Sequence, residues 1–477
     1  MKTKTTLCLT VVLALGGLKY IVSPESISPA PSSNEPLLLT RYINESRYKE
    51  ARNASKVALF EMYGVKAYSG FITVNSTCDI NLFFLFIVSQ KNNSADPVIL
   101  WTQGGPGLSA LLGELLQNGP IAFDPQTGNL SVRANTLQKT ANMIYLDLPV
   151  GAGFSFTSRN DCYAKSLEDI NDHVAGFLSQ FLLLFPEYKQ RDFYAAGESY
   201  AARYSVSVAN MMLESKKDES LSLKGVIGGN GFLGSVLDIA DSSQFMYQLS
   251  MVDRNGCDEF SQQFQKMRNM TLNRTLAPLV IPELARTLFT DKPSTLYQNV
   301  TLYNDYLSPL ITERSPSMLG CFFLLNDTTV RYALHIGLSV PFQYNNLYLL
   351  GSLARDYLYD VTPILTNVLN KTNVLLYTGQ IDPLFPSVNQ RDYLSKLQWN
   401  EAVAYKNAQR FPWKPSNWSG HDGFAGYLRQ TERFTDALII AMSHYGSAEK
   451  PDVMYYLMQE FMTNSSAAAK ASQKTKK

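Results

Sequence analysis

The chain has 477 residues, 45% of them apolar and 17% charged, so disorder along most of its length is excluded. Its formal charge of +1 offers no basic face for nucleic acid and no polyanionic partner. The length suits one large core carrying an insertion.

Lys2 and Lys4 precede an apolar run from Leu7 to Leu18, then a polar stretch around Ser23 to Ser33, a pattern that predicts a signal peptide over residues 1–22. That run is short of the roughly 20 apolar residues a membrane span needs, and no stable span is expected. Twelve Asn-x-Ser/Thr acceptors follow: Asn44, Asn53, Asn75, Asn92, Asn129, Asn269, Asn273, Asn299, Asn326, Asn370, Asn417 and Asn464. Their density behind a signal peptide predicts a glycoprotein of the secretory pathway, either secreted or held in the lysosomal lumen. Beyond Cys8, the four remaining cysteines Cys78, Cys162, Cys257 and Cys321 are compatible with two disulfides, with pairing left open.

Residues 23–56 are polar and Pro/Ser-rich and read as a loose leader. Short runs rich in β-branched and aromatic residues then predict strands at Phe71–Val74, Leu82–Val88, Val98–Trp101 and Met143–Leu146. Val174, Phe177, Phe181 and Leu184 fall at helical spacing and stop before Pro186. A strand at Phe193–Ala196, a helix from Tyr200 to Ser215 and a strand at Leu223–Gly228 follow, and this alternation predicts a parallel sheet within a first core part at 57–236. Residues 237–326 lose the strand pattern and read as a helical and loop cap. A second core part at 327–462 holds a helix ending at Gly337, a strand at Val374–Tyr377, an apolar run at Ala437–Met442 and a last helix at Pro451–Met462. Residues 463–477 read as a disordered tail.

Gly197-Glu198-Ser199-Tyr200-Ala201 lies between a predicted strand and helix, where a tight turn lifts a serine hydroxyl above the sheet. Trp101-Thr102-Gln103-Gly104-Gly105-Pro106-Gly107 also follows a strand, and its glycine pair frees backbone N–H groups for an oxyanion hole. Gly105 and Tyr200 are the expected donors. A serine hydrolase of this kind needs an acid and then a histidine, in that chain order. Asp382 follows the strand Val374–Tyr377 on a short loop. Of four histidines, His173 lies on a helix as a solvated or flanking imidazole, and His335 sits in a last turn where a cation would suit the helix dipole. His421 and His444 alone follow Asp382. His444 comes directly after an apolar run and is favoured, whereas His421 lies in a polar stretch that reads as a surface loop. No metal-ligand spacing appears and no cofactor is expected.

With these residues assembled, the chain resembles the serine carboxypeptidase family over residues 60–462, and its vitellogenic-like branch in particular. The carriers are Ala67 to Phe71, Trp101 to Gly107, Asn142 to Thr157 with Pro149 to Phe156 inside it, Phe185 to Tyr188, Phe193 to Ala201, Tyr377 to Asp382 and Ala425 to Gln430. The resemblance implies an α/β-hydrolase fold, with a mostly parallel sheet flanked by helices, and the triad Ser199, Asp382 and His444. It implies release of single C-terminal residues from peptides or proteins through an acyl-enzyme, best in acid. Gln103, Gly104 and Glu198 would read the substrate's terminal carboxylate, which requires Glu198 to be protonated. The chain departs from the family pattern at Ala202, at Leu108-Ser109-Ala110, at Ala441-Met442-Ser443 and at Tyr445-Gly446-Ser447-Ala448. A secreted peptide-binding homologue with impaired turnover, and a related acyltransferase, are the alternative uses of the same scaffold.

Overall fold

A computed structural model describes residues 34–215, 221–289, 293–415 and 423–474. In chain order the strands are β1 (Ala67–Asn75), β2 (Ile80–Ile87), β3 (Val98–Thr102), β4 (Ile121–Phe123), β5 (Leu130–Val132), β6 (Asn142–Leu146), β7 (Asp192–Glu198), β8 (Ser222–Gly229), β9 (Asn373–Gly379), β10 (Phe411–Trp413), β11 (Gly426–Gln430) and β12 (Phe434–Ile439). β4 and β5 form a separate hairpin, and the other ten make one sheet in the order β1-β2-β6-β3-β7-β8-β9-β12-β11-β10. The six central strands from β6 to β12 pair in parallel, and antiparallel pairs close both ends.

Strand β2 shows why the sheet is covered on both faces. Its whole length is buried, and the pleat sends alternate side chains opposite ways. Leu82, Phe84 and Phe86 join the helix Leu167–Leu184, where Phe177 and Phe181 meet Phe84 and Phe86 at ring distances of 5.4 and 5.0 Å. Phe83, Leu85 and Ile87 join Trp101, Tyr145 and, from the last helix, Met454 and Met458. The helix Leu167–Leu184 starts where Ser166 caps the Asp169 N–H, has Glu168 and Asp169 in its first turn, and stops at Phe185, just before Pro186.

Several expectations need correction. From residue 34 the polar leader is built into the fold: helices Leu39–Asn44 and Tyr48–Ala54 bury Leu39, Ile43 and Ala51. Leu37 donates its N–H to the His335 carbonyl and accepts from the Phe71 N–H. Widely spaced apolar residues in a polar stretch hid that face. The last helix runs Pro451–Lys474 rather than ending at Met462, because the Ala-rich stretch read as a disordered tail has high helix propensity. The helix expected to end at Gly337 is Thr328–Ala333, with His335 and Gly337 in left-handed turns beyond it.

Cys78 and Cys162 form a disulfide, whereas Cys257 and Cys321 are buried and free. The free pair belongs to the two separate core clusters, so the second disulfide does not form. β10 and β11 were not expected from sequence; both are short, β11 lies between β12 and β10, and β10 is the edge strand and carries Pro412. Residues 1–33, with the predicted signal peptide, lie outside the described residues, as do Asn417 and His421. Between β8 and β9 the described chain is helical and loop without strands, across and beyond the expected cap.

Candidate active site

The parallel strands deliver the chemistry, because each ends on the same edge of the sheet. β3 runs into Gln103–Gly107, β7 into Ser199, β8 into Asn230, β9 into Asp382 and β12 into His444, and the five are consecutive neighbours. Ser199 sits between β7 and the helix Ala201–Glu214 with φ +60°, a left-handed conformation that costs a non-glycine residue roughly 1–3 kcal/mol. Its N–H donates to the Gly229 carbonyl at 2.7 Å, so a neighbouring strand end holds the turn. Gly197 permits it, since a Cβ there would lie 2.7 Å from the Ala201 Cβ.

His444 links the other two predicted residues. Its Nε2 lies 3.0 Å from the Ser199 Oγ and its Nδ1 lies 2.8 Å from the Asp382 Oδ2. Asp382 is fully buried, and its Oδ1 accepts the Leu384 and Phe385 N–H groups, each at 2.9 Å. Phe385 turns its ring edgewise to the imidazole at 5.3 Å. From the strandless segment, the Leu307 carbonyl accepts the His444 N–H at 2.8 Å. Asn230 joins the loops: its Nδ2 donates to the Ser443 carbonyl, and its Oδ1 accepts the Gly379 N–H. A polar residue directly after the strand β8, ending Gly228-Gly229, was the available signal for it.

The glycine loop comes to Ser199 at van der Waals distance. A Cβ on Gly104 would stand 2.6 Å from the Ser199 Cβ and 2.9 Å from the Tyr200 nitrogen, so only glycine fits. Beyond it, buried Asp147 accepts the Ser109 hydroxyl and the Ala110 and Phe154 N–H groups, fixing the far end of the loop.

Glu198 is 2% exposed. Its Oε1 accepts from the Ser447 N–H at 3.0 Å, from the Ser447 hydroxyl and from the Tyr377 hydroxyl, and its Oε2 accepts from Gln117 Nε2 at 2.6 Å. Burial pushes its carboxyl pKa upward, against these bonds and the nearby His444. With Oε1 occupied by three donors, the proton of the neutral acid belongs on Oε2. Gln103 is nearly buried, and its Oε1 accepts the Trp101 indole N–H at 3.2 Å. Gln117, Tyr377 and Ser447 were not found by sequence reasoning; Gln117 lies on a π-helical turn, Gly113–Asn118, that has no clear periodic signal.

The other two described histidines stand apart. His335 Nδ1 lies 2.9 Å from the Ser69 hydroxyl, and burial lowers its pKa to about 4. It is neutral, which corrects the reading of a cation at a helix end. His173 is buried too, not solvated, and burial lowers its pKa as well. Of the glycosylation acceptors, Asn44, Asn53, Asn75, Asn92, Asn129, Asn269, Asn273, Asn299, Asn326 and Asn464 are exposed, while Asn370 is half-buried with its Oδ1 on the Asn400 N–H.

A serine on a strained strand-to-helix turn, a histidine and a buried aspartate after later strands of a parallel sheet define an α/β hydrolase. Comparison with known proteins narrows the class: the serine carboxypeptidase family model matches residues 59–464, and the chain belongs to that family. It is 31% identical to the human Probable serine carboxypeptidase CPVL over 92% of this chain and 91% of that protein. It is also 31% identical to the Venom serine carboxypeptidase of Apis mellifera, covering 90% and 91%, and 28% identical to the Vitellogenic carboxypeptidase of Aedes aegypti, covering 90% of each. Among solved structures, the prohormone-processing carboxypeptidase Kex1(Δ)p of Saccharomyces cerevisiae superposes with a TM-score of 0.69 at 19% identity, over 87% of this chain and 96% of that one, and so shares the fold.

Proposed function

We propose that this serine carboxypeptidase removes single C-terminal amino acids from peptides, with Ser199 as nucleophile, His444 as general base and acid, and Asp382 as the group that holds the imidazolium. The observation that carries the reading is the unbroken chain from Ser199 Oγ through His444 to buried Asp382, at 3.0 and 2.8 Å. Ser199 Oγ attacks the last peptide carbonyl while its proton passes to His444 Nε2. The C–N bond then breaks, His444 returns the proton to the leaving amine, and an acyl ester on Ser199 remains. Water attacks that ester with the same base and releases the shortened peptide. The N–H groups of Gly105 and Tyr200 receive the developing oxyanion.

Gln103, Gly104 and neutral Glu198 take the substrate's terminal carboxylate. Support comes from their position on both sides of Ser199 and from the burial that favours the protonated acid. A site built around a free carboxylate discriminates against internal peptide bonds and against esters that lack a free acid nearby. The disulfide and the exposed glycan acceptors support a secreted or lysosomal location.

The test is release of the terminal amino acid from amino-blocked dipeptides, comparing the glycoprotein with Ser199→Ala. Release favoured in acid and abolished by the substitution is expected. Binding of the dipeptides with no release by the unmodified protein would instead favour the peptide-binding alternative, and transfer of the acyl group to a small alcohol the acyltransferase.

A further inference from the structure

The two expected oxyanion donors lie on peptides that the local turns hold on one side: the Leu108 N–H donates to the Gly104 carbonyl at 3.0 Å and the Ala202 N–H to the Ser199 carbonyl at 3.1 Å. Gly105 has φ +116°, a conformation closed to other residues, and lies in a loop with a second glycine on either side. An element outside the loop holds its carbonyl side. The Tyr357 hydroxyl does so by donating to the Gly105 carbonyl at 2.7 Å. The preceding residue, Asp356, accepts through its Oδ2 the hydroxyl of Tyr200, the other donor residue. One dipeptide of the strandless segment therefore grips both.

The grip is itself anchored. Arg203, fully buried on the helix that follows the nucleophile, donates through Nη2 to the Asp356 carbonyl at 2.7 Å and the Tyr359 carbonyl at 2.8 Å, and reaches the Asp356 carboxylate at 3.4 Å. Its guanidinium stacks over Tyr200 and Phe232 at 5.4 and 4.8 Å. The Tyr200 and Tyr357 rings lie 4.8 Å apart, and Phe232 packs on both. We propose that Asp356 and Tyr357 are positioning residues that hold the two oxyanion donors at a fixed separation.

Their contribution is to the transition state. Donors aimed at a developing oxyanion gain most when they need no rearrangement as charge forms, whereas substrate binding through the terminal carboxylate does not use them.

The inference rests on the serine-peptidase reading, and the two can fail separately. The proteins compared are wild type, Tyr357→Phe, which removes one hydroxyl, and Tyr200→Phe, which keeps the backbone N–H but releases Asp356. The measurements are kcat and KM on an amino-blocked dipeptide, and the affinities of an amino-blocked amino-acid aldehyde, whose adduct carries the oxyanion, and of the corresponding amino-blocked acid. Each variant is expected to lose about tenfold in kcat, less than the 10²–10³ of a donor removed outright. KM should stay within about twofold, and aldehyde affinity should fall with kcat while product affinity is kept. A kcat within twofold of wild type, or a loss shared equally by aldehyde and product affinity, overturns the proposal. Should wild type release no amino acid, the peptidase reading fails, and the ratio of aldehyde to product affinity still decides whether the clamp exists.

Discussion

In the proposed carboxylate site, Glu198 ties binding to pH. Its burial favours the neutral acid, which can donate from Oε2 to a substrate carboxylate, whereas the ionised form repels it. As pH rises through its raised pKa the donor is lost, so KM for dipeptides should rise and kcat/KM should fall. Glu198→Gln keeps a donor that does not titrate. A pH series of kcat/KM should therefore be flatter on its alkaline side for this variant, and an unchanged slope would remove Glu198 from the carboxylate site. The departures from the family pattern, all visible in sequence, have partners that only packing reveals. Ala202 is received by Gly231, where a Cβ would come within 2.5 Å of it. Ser443 bonds Glu449, Tyr445 bonds Asp305 and Ser447 bonds Glu198. Ala441 keeps φ +52° without being glycine. Ser199, Asp382 and His444, which the structure brings into contact, were legible because strand-to-loop transitions announce them; the residues around them come from remote segments with no local signature.

At the scale of elements, the long apolar strands and the helix Leu167–Leu184 were legible because periodicity and end signals agree there. Short edge strands and the strandless segment were not, since their positions are decided by contacts such as Leu307 with His444 rather than by pattern. The disulfide was equally hidden among the possible pairings. It joins the β1–β2 turn at Cys78 to Cys162, 84 residues away, beyond β6 and the glycine loop. Closing a loop of that length restricts the unfolded chain, a stabilisation of roughly 2–4 kcal/mol. The double substitution Cys78→Ala, Cys162→Ala should lower the urea midpoint correspondingly and leave KM unchanged, because neither cysteine reaches the site. A midpoint equal to wild type would mean that the bond does not form in the mature protein.

At the scale of the whole molecule, burial favours the neutral form of several carboxyls and of two histidines, and this shapes how stability varies with pH. Burial raises the Glu114 carboxyl to about 8 and that of Asp147 to about 7, and raises Glu198 as well. Between an unfolded carboxylate's pKa near 4 and these folded values, the native state keeps protons that the unfolded chain has released. Their stabilisation is therefore full at low pH and is lost as pH rises, by up to about 1.4 kcal/mol per pH unit for each group. The histidines act in the opposite sense. His335, lowered to about 4, and His173, also lowered, stay neutral while the unfolded chain protonates below about 6.5, so acid removes stability through them. Surface pairs such as Arg159 with Asp161 weaken in stronger acid still, although exposure keeps their effect small. With Asp305 also raised by burial, four carboxyls against two lowered histidines among the described residues place the optimum on the acid side of neutrality. The melting temperature, scanned at fixed rate, should peak near pH 5 and fall by several degrees toward pH 8. Glu114→Gln should flatten the fall without altering kcat/KM. A melting temperature that rose from pH 5 to 8 would mean that these carboxyls are ionised in the native protein, and with Glu198 among them the acid preference of the reaction would lose its physical basis.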